Sequence, residues 1–317
     1  MKIVLTALLT GLLLDLLFAE LPAAVHPVVW MGKWIDFSSN RCLRIPARQP
    51  LNRFIGGLLL VITGLALFCL PIAAIARGLS KLPWLLNGIV TGILLKPVFT
   101  LKGLLRAAGE IYTALNQGDL AEARRLTAWH LVSRDTSTLS VEKIASAAIE
   151  SVAENLTDSF ITPLLAFMIG GLPLAWGFRF INTADAMIGY HSEKWEMIGK
   201  AAARLDDLLN LIPAPLSGAL ICLAAPFSKG DFINGWRVML FQRCQFQSPN
   251  AGWTIGATAG ALDIQLEKQG AYRVNASGKE PGAADIRKSC RIVGIAGIIG
   301  FTVAVLLFVL LLSLNQA

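Results

Sequence analysis

The run from Phe54 to Ala76 carries no charged side chain, and neither does the run from Ile292 to Leu312. Each is long enough to cross a hydrocarbon core, which needs about 20 apolar residues. A helix that is apolar on every side has no face to turn to water and belongs in a membrane or a deep core. Composition points to the membrane, since 55% of the 317 residues are hydrophobic and only 15% are charged. The expected fold class is all-α. It is a multi-pass integral membrane protein with cytoplasmic amphipathic helices and broken or re-entrant helices, in one domain spanning residues 1–317.

Further spans follow from the same logic. Residues 3–18 form an apolar run behind Lys2, interrupted by Asp15 and followed by no small-x-small cleavage site, so a retained membrane helix is expected rather than a signal peptide. Residues 82–95, between Lys81 and Lys96, are short for a crossing and fit a tilted span, a hairpin arm or a re-entrant piece. Two apolar stretches are broken. Residues 159–178 contain Pro163, Gly170, Gly171 and Pro173, and residues 208–228 contain Pro213, Pro215, Gly218 and Pro226. Interrupted backbone persists at membrane depth only where protein or a wet cavity satisfies its polar groups. Residues 101–127 have the period of amphipathic helices, and 265–285 read as the longest soluble loop.

Lys and Arg number 28 against 21 Asp and Glu, for a net charge of +7. In such a chain the surplus reports topology rather than nucleic-acid binding, because cytoplasmic loops collect basic residues. The loop with Lys33, Arg41, Arg44, Arg48 and Arg53 is the densest basic cluster and is expected in the cytoplasm of a cell with this protein in its inner (plasma) membrane. Re-entrant hairpins at both broken segments would keep every polar motif on that side. The five cysteines are far apart and form no Cys-x-x-Cys pair, so buried thiols are expected rather than disulfides or zinc. Gly88 and Gly92 form a small-xxx-small pair that suits helix packing within one chain or between copies in a homo-oligomer.

The polar chemistry lies between the apolar segments. Ser140 suits the N-cap of a helix on which Glu150, Glu154 and Asp158 recur every four residues and share one face. Three carboxylates in a row repel unless something neutralises them. A divalent cation such as Mg²⁺ would do so, and a solvated acidic face is the plain alternative. Asn182 and Asp185 stand three apart, as do Asp207 and Asn210, each pair placed to project from one side of its helix. Arg134 and Arg204 are candidate phosphate ligands, or else salt-bridge partners of Asp135 and of Asp206 or Asp207. His26 opens a segment with Lys33 and two tryptophans, Trp30 and Trp34, that suit an interfacial aromatic belt. His130 and His191 have no metal-ligand spacing. Ser248, Asn250 and Gly252 form a polar turn suited to close backbone approach by a ligand. No Walker A, Gly-x-Gly-x-x-Gly, Gly-x-Ser-x-Gly or His-Glu-x-x-His sequence is present.

The ordered series SRDTSTLS (133–140), AIESVAENLTDSFITPL (148–165), NTADAMIGY (182–190) and ARLDDLLNLIPAP (203–215) resembles the CbiB/CobD family of adenosylcobinamide-phosphate synthases. The resemblance implies ATP-dependent joining of adenosylcobyric acid to (R)-1-aminopropan-2-yl phosphate or a related amino-alcohol phosphate, with Mg²⁺ and ATP. It implies catalytic roles for Glu150, Glu154, Asp185, Asp207 and His26. Substrate or phosphate contacts would come from Arg134, Asp135, Asn155, Asn182, Arg204, Asn210, Ser248 and Asn250, and metal contacts from Glu150, Glu154, Asp158, Asp206 and Asp207. The implied partners are those two substrates, the bilayer and other corrinoid-pathway membrane enzymes. The chain also departs from the family's expected pattern. Ser146 and Pro215 stand where arginines are expected, Arg243, Cys244 and Gln247 replace an Arg-Asp and a His, and Thr254 and Ile255 replace an acid. These departures leave two alternatives open, a non-catalytic corrinoid-binding or regulatory membrane protein and a Mg²⁺-dependent membrane transferase.

Overall fold

The computed structural model describes residues 1–18, 21–130, 136–268 and 270–314. The helices in chain order are α1 (Lys2–Phe18), α2 (Pro27–Cys42), α3 (Pro50–Leu79), α4 (Trp84–Leu95), α5 (Lys102–Asn116), α6 (Leu120–His130), α7 (Val141–Leu156) and α8 (Thr162–Ile188). There follow α9 (Lys200–Asn210), α10 (Pro213–Ala224), α11 (Phe232–Gln242), α12 (Ala251–Leu262) and α13 (Ala283–Leu314). Between α12 and α13 lies one antiparallel hairpin, β1 (Leu266–Lys268) with β2 (Tyr272–Val274). The expected loop at 265–285 thus contains the one β-sheet among the described residues. Gly270 takes φ +75° in its turn, a conformation glycine adopts without a Cβ clash.

Four helical stretches are long and apolar enough to cross a membrane: Pro50–Leu79, Trp84–Asn116, Val141–Ile188 and Ala283–Leu311. A fifth is available if Lys200–Asn210 and Pro213–Ser228, bent by 50° at their junction, act together. The protein is a multi-pass membrane protein; the expected span at 54–76 lies inside the first stretch, 82–95 overlaps the second from Trp84, and 292–312 overlaps the fourth up to Leu311. The segment expected to be broken at 159–178 is broken: Gly170 and Gly171 leave helical geometry, Gly171 with φ +64°. The segment at 208–228 is bent at the break between Asn210 and Pro213. Leu59, Ile62 and Leu70 of α3 point outward, Leu70 with 66% of its surface exposed. Leaving such side chains in water would forgo about 1.5–3 kcal/mol each, whereas hydrocarbon makes that exposure neutral.

Contacts divide the chain into two compact units, one made of Met1–Thr100, Thr162–Leu209 and Leu307–Ala317, the other of Leu101–Ile161 and Asn210–Leu306. In the first, α1 packs on α4, and α3 on α8. Gly88 and Gly92 face Thr6, Ala7 and Thr10, so the small-xxx-small pair is used within the chain to bring α4 against α1. Phe180 fills the space over Gly64 and stacks on Phe68 with ring centroids 5.7 Å apart. Asp15 is wholly buried, with Lys96 Nζ 2.8 Å and the Thr100 hydroxyl 3.0 Å from its Oδ1. The residue that interrupts the first apolar run is therefore half of a buried ion pair.

In the second unit α12 is the centre. Its Ala- and Gly-rich sequence is buried on nearly every side, and α10 and α11 pack against it. Gly256 lies against the Met239 backbone and Gly260 against that of Asn234, which is the close approach such small residues permit. Of the cysteines, Cys42 and Cys222 are buried as expected and Cys244 is exposed; all five are free thiols.

Candidate functional site

In the second unit the acidic helix starts where the sequence places it. The Ser140 hydroxyl accepts from the Lys143 N–H at 3.4 Å, and α7 runs from there to Leu156. Glu150 is buried and both its carboxylate oxygens are held. The Ser146 hydroxyl donates to Oε1 at 2.5 Å, and the Tyr272 hydroxyl donates to Oε2 at 2.6 Å. Ser146 Oγ in turn accepts from the Glu267 N–H at 3.1 Å, and Lys143 Nζ pairs with Glu267 Oε2 at 2.8 Å. The hairpin is thereby pinned to α7, and the pinning delivers Tyr272 to Glu150. Ser146, a departure from the family pattern in sequence terms, is part of the support of the first acid.

Glu154 is half-buried one turn on. Asp158 does not continue the same spacing. Thr157–Ile161 form a π-helical turn, which widens the helix by a residue and moves Asp158 off the strict four-residue repeat. Such turns occur often at functional sites. The Asn210 amide donates to Asp158 Oδ1 at 3.0 Å, and the Ser159 hydroxyl donates to Asn155 Oδ1 at 3.1 Å. Asn155 also donates to the Ser151 carbonyl at 2.9 Å, so its amide is engaged along its own helix.

The polar turn before α12 belongs to the same unit. The Ser248 hydroxyl accepts from the Asn250 N–H at 3.2 Å, and Asn250 is buried at the start of α12. The close approach expected at Gly252 is made by the chain itself, because a methyl group there would overlap the backbone of Arg243. The Arg243 guanidinium lies 4.2 Å from the Trp253 ring centroid, and its Nε is buried without an acceptor among the described residues. Phe246 packs against Tyr272 with ring centroids 4.1 Å apart and the planes tilted by 39°. In the sequence Arg243 falls among the departures from the family pattern, and Tyr272, an isolated tyrosine in a polar loop, carries no periodic signal.

In the first unit Asn182 is paired with Asp206 rather than set only beside Asp185, its amide donating to Asp206 Oδ1 at 3.2 Å. Arg179 reaches Asn182 Oδ1 at 3.5 Å. Asp206 is buried and Asp207 half-buried on α9. A side chain at Gly189 would overlap the Asp185 carboxylate, so that glycine leaves the acid its space. Arg204 is exposed and makes no ion pair among the described residues, so neither neighbouring aspartate holds it. His26 is the N-cap of α2, with Nδ1 accepting from the Val28 N–H at 3.2 Å, which leaves the neutral ring's proton on Nε2. Arg134 and Asp135 lie outside the described residues. His130 and His191 contact Glu110 and Glu196, at 3.2 and 2.8 Å.

The model of the CobD/Cbib protein family matches residues 8–293, which takes in the described acids and amides of both units. The chain belongs to the CobD/CbiB family. It is 40% identical over 269 residues to the cobalamin biosynthesis protein CobD of Dehalococcoides mccartyi (strain CBDB1), covering 85% of this chain and 86% of that one. A probable cobalamin biosynthesis protein CobD of Methanocaldococcus jannaschii is 38% identical over 282 residues, 89% of this chain and 90% of its own. The CobD of Klebsiella pneumoniae subsp. pneumoniae is 38% identical over 256 residues, 80% and 79% of the two chains. No solved structure matches this CobD/CbiB chain.

Proposed function

We propose that the protein acts in cobalamin biosynthesis as an ATP-dependent ligase, joining a carboxylate of adenosylcobyric acid to the amine of (R)-1-aminopropan-2-yl phosphate or a related amino-alcohol phosphate. The product is adenosylcobinamide phosphate. The observation that carries this proposal is the family match over residues 8–293. The supported Glu150 is the local geometry that favours a working site over a decayed one.

The chemistry needs two bond exchanges. A carboxylate oxygen of the corrinoid attacks the γ-phosphorus of ATP, and the P–O bond to ADP breaks, giving an acyl phosphate. The amine nitrogen then attacks the acyl carbon, inorganic phosphate leaves, and the nitrogen gives up a proton. A carboxylate is a suitable proton acceptor, and Glu154, half-buried beside the tightly held Glu150, is our candidate in the second unit. Arg243, stacked on Trp253 with a spare buried donor, is suited to a phosphate group.

Among the described residues no three His, Cys, Asp or Glu side chains gather to hold a metal ion. A magnesium ion bound through one or two carboxylates and the phosphates of ATP needs no such protein cage. Asp158, with its amide partner Asn210, would be a protein ligand in the second unit. When bound, the ion neutralises phosphate charge during transfer. The test is direct: purified protein in detergent with ATP, Mg²⁺, adenosylcobyric acid and aminopropanol phosphate, followed by the mass of the corrinoid. A gain matching amide formation is expected. Corrinoid binding with no product would replace the ligase by a binder or regulator.

A further inference from the structure

One face of α2 is not used by the chemistry above. Trp30, Lys33, Trp34, Phe37 and Arg41 follow at spacings of three and four, so they form one stripe along the helix. The first four line a cavity of about 840 Å³ in the first unit, closed otherwise by apolar side chains of α3, α4 and α8 that include Phe68, Ile72 and Trp176. That volume is within the range of about 300–1,000 Å³ usual for small-molecule sites. Its rim is half exposed and apolar: Leu67 and Ile75 of α3 and Ile93 of α4 belong to stretches that can cross the membrane. Such a rim is favourable against hydrocarbon and unfavourable against water.

Lys33 lines this apolar opening, and a second positive charge, Arg41, stands next to it on Phe37, another lining residue. Lys33 is exposed and Arg41 stacks on Phe37 at 4.1 Å, and neither makes an ion pair among the described residues. Of the three indoles in the lining, Trp30 donates to the Ala24 carbonyl and Trp176 to that of Leu94, while Trp34 Nε1 is buried with no acceptor. An unmet donor in an apolar wall is unfavourable, and an oxygen reached by a small turn of the ring would relieve it.

We propose that this cavity binds one anionic phospholipid, its phosphate on Lys33 and Arg41 and one acyl chain against Phe68, Ile72 and Ile75. A lipid is chosen over a water-soluble anion because the rim belongs to stretches apolar enough to cross a membrane and almost every other lining group is apolar. Basic pockets among membrane helices bind lipid headgroups in this way. The site does not depend on the ligase reaction.

Native mass spectrometry of the full chain, released from detergent after titration with phosphatidylglycerol, tests this. One lipid should be retained by the wild type and several-fold less by Lys33→Gln/Arg41→Gln, while Lys229→Gln behaves as wild type. Ile75→Trp, which fills the cavity from its apolar side and touches neither charge, should also lower retention several-fold and keeps the test open if the double variant misfolds. Equal retention in all variants overturns the proposal. Displacement by glycerophosphoglycerol alone would overturn it in favour of a soluble anion, and displacement by adenosylcobyric acid in favour of a corrinoid pocket.

Discussion

The Tyr272 hydroxyl donates to Glu150 Oε2 at 2.6 Å, joining side chains 122 residues apart in the chain. The link exists because the hairpin is tied to α7 twice, through Ser146 with the Glu267 N–H and through Lys143 with the Glu267 carboxylate. Tyr272→Phe removes one donor from a buried carboxylate and keeps the ring on Phe246. The expected loss is about 1–3 kcal/mol of stability, with a fall in ligase turnover larger than a surface change gives. A thermal midpoint and a product assay on the same preparation check both, and unchanged turnover would remove Glu150 from the proposed site.

Glu154→Gln and Asp207→Asn each remove a charge and almost no volume. If these acids serve the reaction, turnover is abolished while the protein still inserts and elutes as a single species from size exclusion. Wild-type turnover in both variants would refute their assignment.

The acids were legible in the sequence because carboxylates among apolar segments are conspicuous, and the spans because length and lack of charge suffice to mark them. Their partners were not. The spacing of Asp207 and Asn210 suggested a pair, yet the Asn210 amide goes to Asp158, 52 residues earlier. Asn182 likewise turns to Asp206. Local periodicity says which side chains share a face, but tertiary packing chooses among them. The π-turn at Thr157–Ile161 has no composition that announces it. Asp15 read as a blemish in an apolar run because its partner, Lys96, lies 81 residues away.

Asp15→Asn leaves Lys96 buried and charged with its ion partner gone. Breaking a buried pair from one side costs about 3–5 kcal/mol, so this variant should be extracted in low yield and aggregate at lower temperature. Replacing both residues, Asp15→Asn with Lys96→Met, should recover much of the loss. No recovery would mean that the pair holds α1 to α4 in some further way.

The Lys143–Glu267 bond sets an acid limit on the hairpin. The hydrogen bond from Lys143, and then its charge, lower the Glu267 carboxyl below its ordinary value. A group with a lowered folded-state pKa contributes stability that is present above the unfolded value, about 4.3 for glutamate, and is lost as pH falls through the folded value. Hydrogen exchange at the amides of Leu266–Lys268 and Tyr272–Val274 should therefore stay slow down to that region and quicken below it. Lys143→Met should move the onset to higher pH, and an unchanged onset would show that Glu267 does not control the hairpin.

Arg243 carries the last prediction because two different roles give two different results. Its guanidinium stacks on Trp253, and Gly252 admits its backbone so closely that any side chain there would collide. If Arg243 only packs, Arg243→Lys and Arg243→Gln should lower stability and leave the kinetic constants alone, since both keep an aliphatic stem over the indole. If it holds a phosphate, Arg243→Gln should raise KM for ATP or for the amino-alcohol phosphate by about tenfold or more, the equivalent of losing about 1.5–3 kcal/mol from a charged hydrogen bond. Arg243→Lys would restore only part of this, because an ammonium replaces the charge but not the planar fork. We expect the second pattern, measured as KM for each substrate separately. The substrate whose KM moves identifies which phosphate the residue meets.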